Sequence, residues 1–107
     1  MKTLKFKSNL VARILDDSKT TTWRLFDDKN LRVGDKLEFI NSDTKESFSC
    51  AEIIDVREKK LNEIEELDYK DHEKYSNTKD MVNHYQIYYG QKVSSESIVK
   101  IIKFRLL

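Results

Sequence analysis

Lys19, Thr22 and Arg24 put an amine, a hydroxyl and a guanidinium into one short run, Ser18-Lys19-Thr20-Thr21-Thr22-Trp23-Arg24. A hydroxyl with an amine close by is a nucleophile with a base, provided the amine can be neutral. A guanidinium nearby adds an anion-binding fork. In an extended strand Thr20, Thr22 and Arg24 share one face, and Thr21, Trp23 and Leu25 share the other. Lys19 would sit where the preceding loop enters the strand, outside that alternation. The same residues also read as a threonine-rich, half-buried strand with solvated ends, since threonine favours strands.

Other elements must hold this run in place. Leu4 and Phe6 alternate with Lys5 and Lys7 and predict a short first strand. Ser8 is placed to cap a helix over residues 9–17, with Leu10, Val11, Ile14 and Leu15 on one face. After the strand over residues 20–25 comes a polar loop, then a tight turn at Val33-Gly34-Asp35 in which glycine can take positive φ. Residues 36–41 and 48–56 predict a hairpin across a polar connection. Charge dominates residues 57–71, where Leu61, Ile64 and Leu67 at helical spacing predict one or two short amphipathic helices. Ser76 or Asn77 can cap a helix over residues 79–89 that ends at Gly90, and residues 97–106 alternate as a last strand. The order predicts one α+β domain spanning residues 1–107, a small mixed β-barrel with helical excursions.

Composition narrows the function classes. A chain of 107 residues buries about two-thirds of its unfolded surface in one core. Its net charge of +1 supplies no field to draw in polyanions, although a local basic groove of Lys5, Lys7, Lys19 and Arg24 stays open. Cys50 is the only cysteine, so no intrachain disulfide forms, and its strand setting predicts a small buried residue. His72 and His84 lack further ligand types at metal spacing, so no metal is expected. No glycine-rich phosphate loop is present and no cofactor is expected. The N-terminal residues alternate rather than forming an apolar run, which predicts a cytoplasmic protein that uses no membrane.

The element order, with its Lys-Thr-x-Thr-x-Arg strand, Val-Gly-Asp turn and Ile-x-Phe terminal strand, resembles the ASCH domain of the PUA-like fold. The likeness covers nearly the whole chain and is best over residues 14–37 and 72–107. Within that group the chain is similar to the small bacterial N4-acetylcytidine amidohydrolases. Their Ile-Leu, Lys-Thr-x-Thr-x-Arg and Gly-Asp elements are matched by Ile14-Leu15, Lys19 to Arg24 and Gly34-Asp35. Their Tyr-x-Gly-Gln element is matched by Tyr88-Tyr89-Gly90-Gln91, and a glutamate upstream of it by Glu73. The chain departs at Asp17, where that family usually has glycine, and at Tyr89, where it has proline.

The resemblance implies roles. Thr22 is the nucleophile, Lys19 its base and Glu73 the proton donor, with Arg24 and Tyr88 binding substrate. The implied reaction is hydrolysis of the N4-acyl amide of a cytosine nucleoside, so the implied partner is a small-molecule nucleoside. Lysine acts as a base only when neutral, and bringing it from about 10.4 to neutrality takes roughly 4 kcal/mol from desolvation or a nearby cation. Arg24 is either that cation or a clamp on the ligand's base or ribose. Two other readings compete: a noncatalytic RNA-binding module, and an ASCH-type ribonuclease using the same lysine. Each residue also has a plain structural alternative. Lys19 and Glu73 can be solvated charges, Thr22 a strand former, and Trp23 and Tyr85, Tyr88 and Tyr89 core rings rather than a stacking platform.

Overall fold

The structure, a computed structural model, describes residues 1–69 and 75–107. In chain order the elements are β1 (Lys2–Phe6), α1 (Ser8–Leu15), β2 (Thr21–Leu25), β3 (Lys36–Asn41), β4 (Ser47–Lys60), α2 (Thr78–Tyr89) and β5 (Ile98–Leu106). Two 3-10 turns, Leu61–Glu63 and Glu66–Tyr69, follow β4. The strands form one sheet, ordered β1-β3-β4-β5-β2 and curled into a half-barrel. β1 runs parallel to β3, and every other pairing is antiparallel. This is the expected α+β architecture, a small mixed sheet with helical excursions.

Strand alternation sends neighbouring residues into two cores. On one face of the sheet, Leu4, Phe6, Phe39, Ile53, Ile102 and Phe104 pack with Ile14 of α1 and Leu31. On the opposite face Trp23, Leu25, Val99 and Ile101 pack with Leu61, Met81, Tyr85 and Val93. Ile101 and Ile102 are adjacent yet belong to different cores, and each apolar side chain buried this way contributes about 1.5–3 kcal/mol. The alternation of Thr22 and Trp23 follows from the same register, since they lie opposite Ile102 and Ile101 respectively.

Several local expectations hold. Asn77 caps α2, its side-chain oxygen accepting from Asp80 N at 2.9 Å. Gly90 ends that helix at φ 85°, and Gly34 takes φ 91° in the turn before β3. Others are corrected. Ser8 is the first residue of α1 rather than its cap, and its backbone N–H is instead satisfied by Asp43 Oδ2 at 2.9 Å. α1 ends at Leu15, two residues before the expected limit.

Residues 57–60 continue β4 instead of starting a helix. Pairing to β5 extends to Lys60 opposite Ile98, and this interstrand ladder overrides the local helical spacing. Arg57 and Lys59 reach Asp68 at 2.7 and 2.8 Å, fixing the following 3-10 turns. Cys50 is half-buried, while its neighbour Ala51 is the buried residue of the pair. Among the described residues, no helix is long and apolar enough to cross a membrane.

Candidate active site

The loop from α1 into β2 sets the position of Lys19. Asp16 N donates to Ala12 O at 3.0 Å, Asp17 N to Ile14 O at 3.2 Å, and Lys19 N to Arg13 O at 2.9 Å. Between them Asp17 takes φ 65°, the left-handed conformation that glycine adopts freely and aspartate tolerates. Asp17 thus makes a turn that glycine would also take, and this turn leads directly into Lys19. Lys19 is 2% exposed and Thr22 5%, so neither is a solvated surface group.

Arg24 follows Thr22 on the same strand face and crosses to β1. Its Nη2 donates to Lys5 O at 3.0 Å, and its guanidinium lies 4.9 Å from the centroid of the Phe6 ring. Its Nε is buried with no hydrogen-bond partner among the described residues. Burial draws the guanidinium pKa below its usual value, opposed by the nearby Tyr89 and Tyr85 hydroxyls. Tyr88, on α2, is half-exposed, and Lys7 Nζ sits 4.8 Å above its ring. Contact with the Tyr88 hydroxyl raises the Lys7 pKa.

Lys19, Thr22, Arg24 and Tyr88 all line one pocket of about 450 Å³. It opens between β1 and β2, the two strands at the sheet's edges, with α1 and α2 contributing further walls. Glu73 lies outside the described residues. Trp23 is buried in the second core, as its place in the strand alternation predicts, yet it also contributes to the pocket wall.

The pocket includes residues that the sequence did not single out. Arg13 and Asn9 stand one helical turn apart on α1 and both face the pocket. The i, i+4 spacing was visible in the sequence, but nothing there indicated what that polar face would meet. His84, which the sequence brought up only as a weak metal ligand, also lines the pocket, with its ring centroid 5.2 Å from each of Tyr75, Tyr85 and Tyr88. Among the described lining residues five carry cationic side chains and none carries a carboxylate. No group of three or more His, Cys, Asp or Glu among the described residues is arranged to hold a metal.

A buried amine and a buried hydroxyl in one aromatic-walled pocket suit acyl transfer: the amine can accept a proton while the hydroxyl oxygen attacks a carbonyl. The rings supply flat apolar faces against which a heterocycle can stack.

Solved structures share this architecture. A domain described as an ASCH domain from Lactobacillus crispatus JV V101 is similar with a TM-score of 0.69 at 14% identity, over 92% of this chain and 70% of that one. A mutant ASCH protein from Zymomonas mobilis is similar with a TM-score of 0.70 at 10% identity, over 96% and 66%. A protein of Enterococcus faecalis V583 assigned to the family DUF984 gives a TM-score of 0.71 at 10% identity, over 92% and 70%. No protein-family model matches the chain, and no curated protein matches it. The fold of this chain is that of the ASCH domain.

Proposed function

We propose that the protein is an amidohydrolase that removes the acyl group from the N4 nitrogen of cytosine nucleosides, converting N4-acetylcytidine to cytidine and acetate, and that it works in the cytoplasm. The observation that carries this reading is the convergence of Lys19, Thr22, Arg24 and Tyr88 on one pocket, with the lysine and the threonine both buried. Burial penalises the ammonium form of a lysine, which favours the neutral amine a general base must be.

In this mechanism Lys19 Nζ takes the Thr22 hydroxyl proton as Oγ1 attacks the amide carbonyl carbon. The tetrahedral adduct collapses with cleavage of the carbon–N4 bond, and N4 takes a proton from Glu73, so cytidine leaves. Lys19 then passes its proton to Glu73, and water attacks the Thr22 ester carbonyl with Lys19 again accepting the proton. Lys19 returns that proton to Thr22 Oγ1 as the ester bond breaks and acetic acid leaves, ionising to acetate in solvent. Arg24 and Tyr88 hold the base, the guanidinium through its Nε–H and the phenol through its ring face.

The test incubates the pure protein with N4-acetylcytidine and, separately, with RNA. Cytidine release that disappears in Thr22→Ala and in Lys19→Ala supports the amidohydrolase. RNA cleavage, or RNA binding without any cytidine release, would replace it with the ribonuclease or the noncatalytic RNA module.

A further inference from the structure

We infer that the pocket takes a phosphorylated cytosine mononucleotide in preference to the neutral nucleoside, with the phosphate held by Lys5, Lys7 and Arg13. This rests on the reading of the pocket as a cytosine site and adds the class of ligand that fills it.

The charge distribution carries the argument. Apart from Lys19, which the mechanism needs neutral, Lys5, Lys7, Arg13 and Arg24 bring four positive charges to the pocket lining, and no carboxylate accompanies them among the described lining residues. Crowding like charges around a concave, partly dry space is unfavourable until an anion enters. A neutral nucleoside leaves that repulsion in place. A phosphate with nearly two negative charges removes it and accepts charge-assisted hydrogen bonds.

The placement of the three outer cations fits one phosphate rather than a chain of them. Lys5 and Lys7 are exposed and alternate along the extended segment that enters α1, so they point to the same side. Arg13 is half-buried, one turn along α1 from Asn9, on the helix face that lines the pocket. Lys7 meets the Tyr88 hydroxyl, and Asp43 and Asp16 attract Lys7 and Arg13 through space, but no ion pair among the described residues ties any of the three as Lys2, Lys59 and Lys100 are each tied to an aspartate. Arg24 is committed to Lys5 O and Lys19 is buried deep beside Thr22, which leaves the outer three for a phosphate at the mouth.

Two quantities select a mononucleotide over RNA. A pocket of about 450 Å³ accommodates one base, one ribose and one phosphate. Of the chain's 20 Lys and Arg, the fifteen outside this lining stand against 19 Asp and Glu. Outside the pocket the chain is therefore net acidic by four charges, so a polyanion longer than one nucleotide gains no overall attraction from the rest of the molecule.

Calorimetric titration with cytidine, cytidine 5′-monophosphate and a short oligocytidylate tests this without turnover. The monophosphate is expected to bind at least ~10-fold more tightly than cytidine in low salt, with the advantage shrinking as salt rises. Lys5→Gln, Lys7→Gln and Arg13→Gln are each expected to weaken the monophosphate by about 3- to 10-fold and to leave cytidine within about 2-fold. Equal affinity for cytidine and the monophosphate, or no binding of either, overturns the inference. An oligocytidylate that binds more tightly than the monophosphate overturns it in favour of RNA. If the monophosphate is preferred yet no acyl amide is cleaved, the amidohydrolase fails alone. If N4-acetylcytidine is hydrolysed but the phosphate brings nothing, this inference fails alone.

Discussion

Arg24 Nη2 donates to the carbonyl oxygen of Lys5 at 3.0 Å, so a side chain joins the two edge strands where the backbone ladder has stopped. β1 and β2 lie at opposite ends of the sheet order, and the half-barrel is left open between them. That opening is the pocket. Arg24 both braces its rim and, through its buried Nε, presents a donor with no partner among the described residues.

Removing the brace should loosen the rim. Arg24→Gln is expected to lower stability by about 1.5–3 kcal/mol, the range for a hydrogen bond involving a charged group. Arg24→Lys keeps the charge but cannot reproduce the fork, so it should recover only part of that loss. Urea unfolding of the two variants measures both. Unchanged midpoints would show that the guanidinium does not brace the strands.

Catalysis should depend on Lys19 far more than stability does. Lys19→Met keeps the length of a buried stem and is expected to lower kcat by about 10²- to 10⁴-fold, the usual contribution of a general base. If Lys19 is the base, the wild-type rate should show a limb that rises with pH, and this limb should vanish in Lys19→Met. Mass spectrometry of acid-quenched enzyme should show an acyl group on Thr22, absent in Thr22→Val. A flat profile together with full activity in Lys19→Met would exclude the lysine as base.

Asp68 should make the protein acid-sensitive. Its carboxylate is buried and accepts from Arg57 at 2.7 Å, Lys59 at 2.8 Å and the Glu65 amide at 2.8 Å. Burial works against the charged form, but the bonds from Lys59, the Glu65 amide and Arg57 outweigh it and hold the pKa below the usual value. A depressed carboxylate pKa contributes stability that is present above the unfolded-state value, about 3.9, and is lost as pH falls through the folded-state value. Asp68→Asn should cost about 2–3 kcal/mol at pH 7, discounted because both cations are partly exposed, and should flatten the stability loss below about pH 4. Thermal unfolding of both proteins from pH 7 to 3 tests the slope.

Asp17 should be replaceable only by residues that accept its backbone. Asp17→Gly is expected to leave folding and activity close to wild type, because glycine takes φ 65° without strain. Asp17→Val should destabilise by about 1–2 kcal/mol, the cost of a left-handed conformation for a side-chain-bearing residue, and the β-branched group adds to it. Its kcat should also fall, since the Lys19 loop shifts. A valine variant as stable and active as the parent would show that the turn does not aim the lysine.

Much of the fold was legible because its signals are local. The Asn77 cap, the Gly90 stop and the Gly34 turn each depend on a residue type acting on the backbone beside it, and each lies where the sequence placed it. Signals that depend on a distant partner were misread. The charged residues 57–60 looked helical in isolation, and the ladder to β5 made them strand. Ser8 looked like a cap, but an aspartate far along the chain satisfies its N–H.

The candidate site divides along the same line. Sequence alone put Thr22 and Arg24 on one strand face, because alternation assigns faces once the strand is recognised, and set Lys19 in the loop that leads into them. Tyr88 entered through the resemblance of Tyr88-Tyr89-Gly90-Gln91 to the family's Tyr-x-Gly-Gln element. Only the tertiary structure decided that these residues line one cavity and that Lys19 is buried there, because burial depends on which surfaces the curled sheet brings over the loop. The same is true of Lys5, Lys7 and Arg13. Their charges are spread along the first two elements, and they converge only because β1 and β2 end up as facing edges of an unclosed barrel.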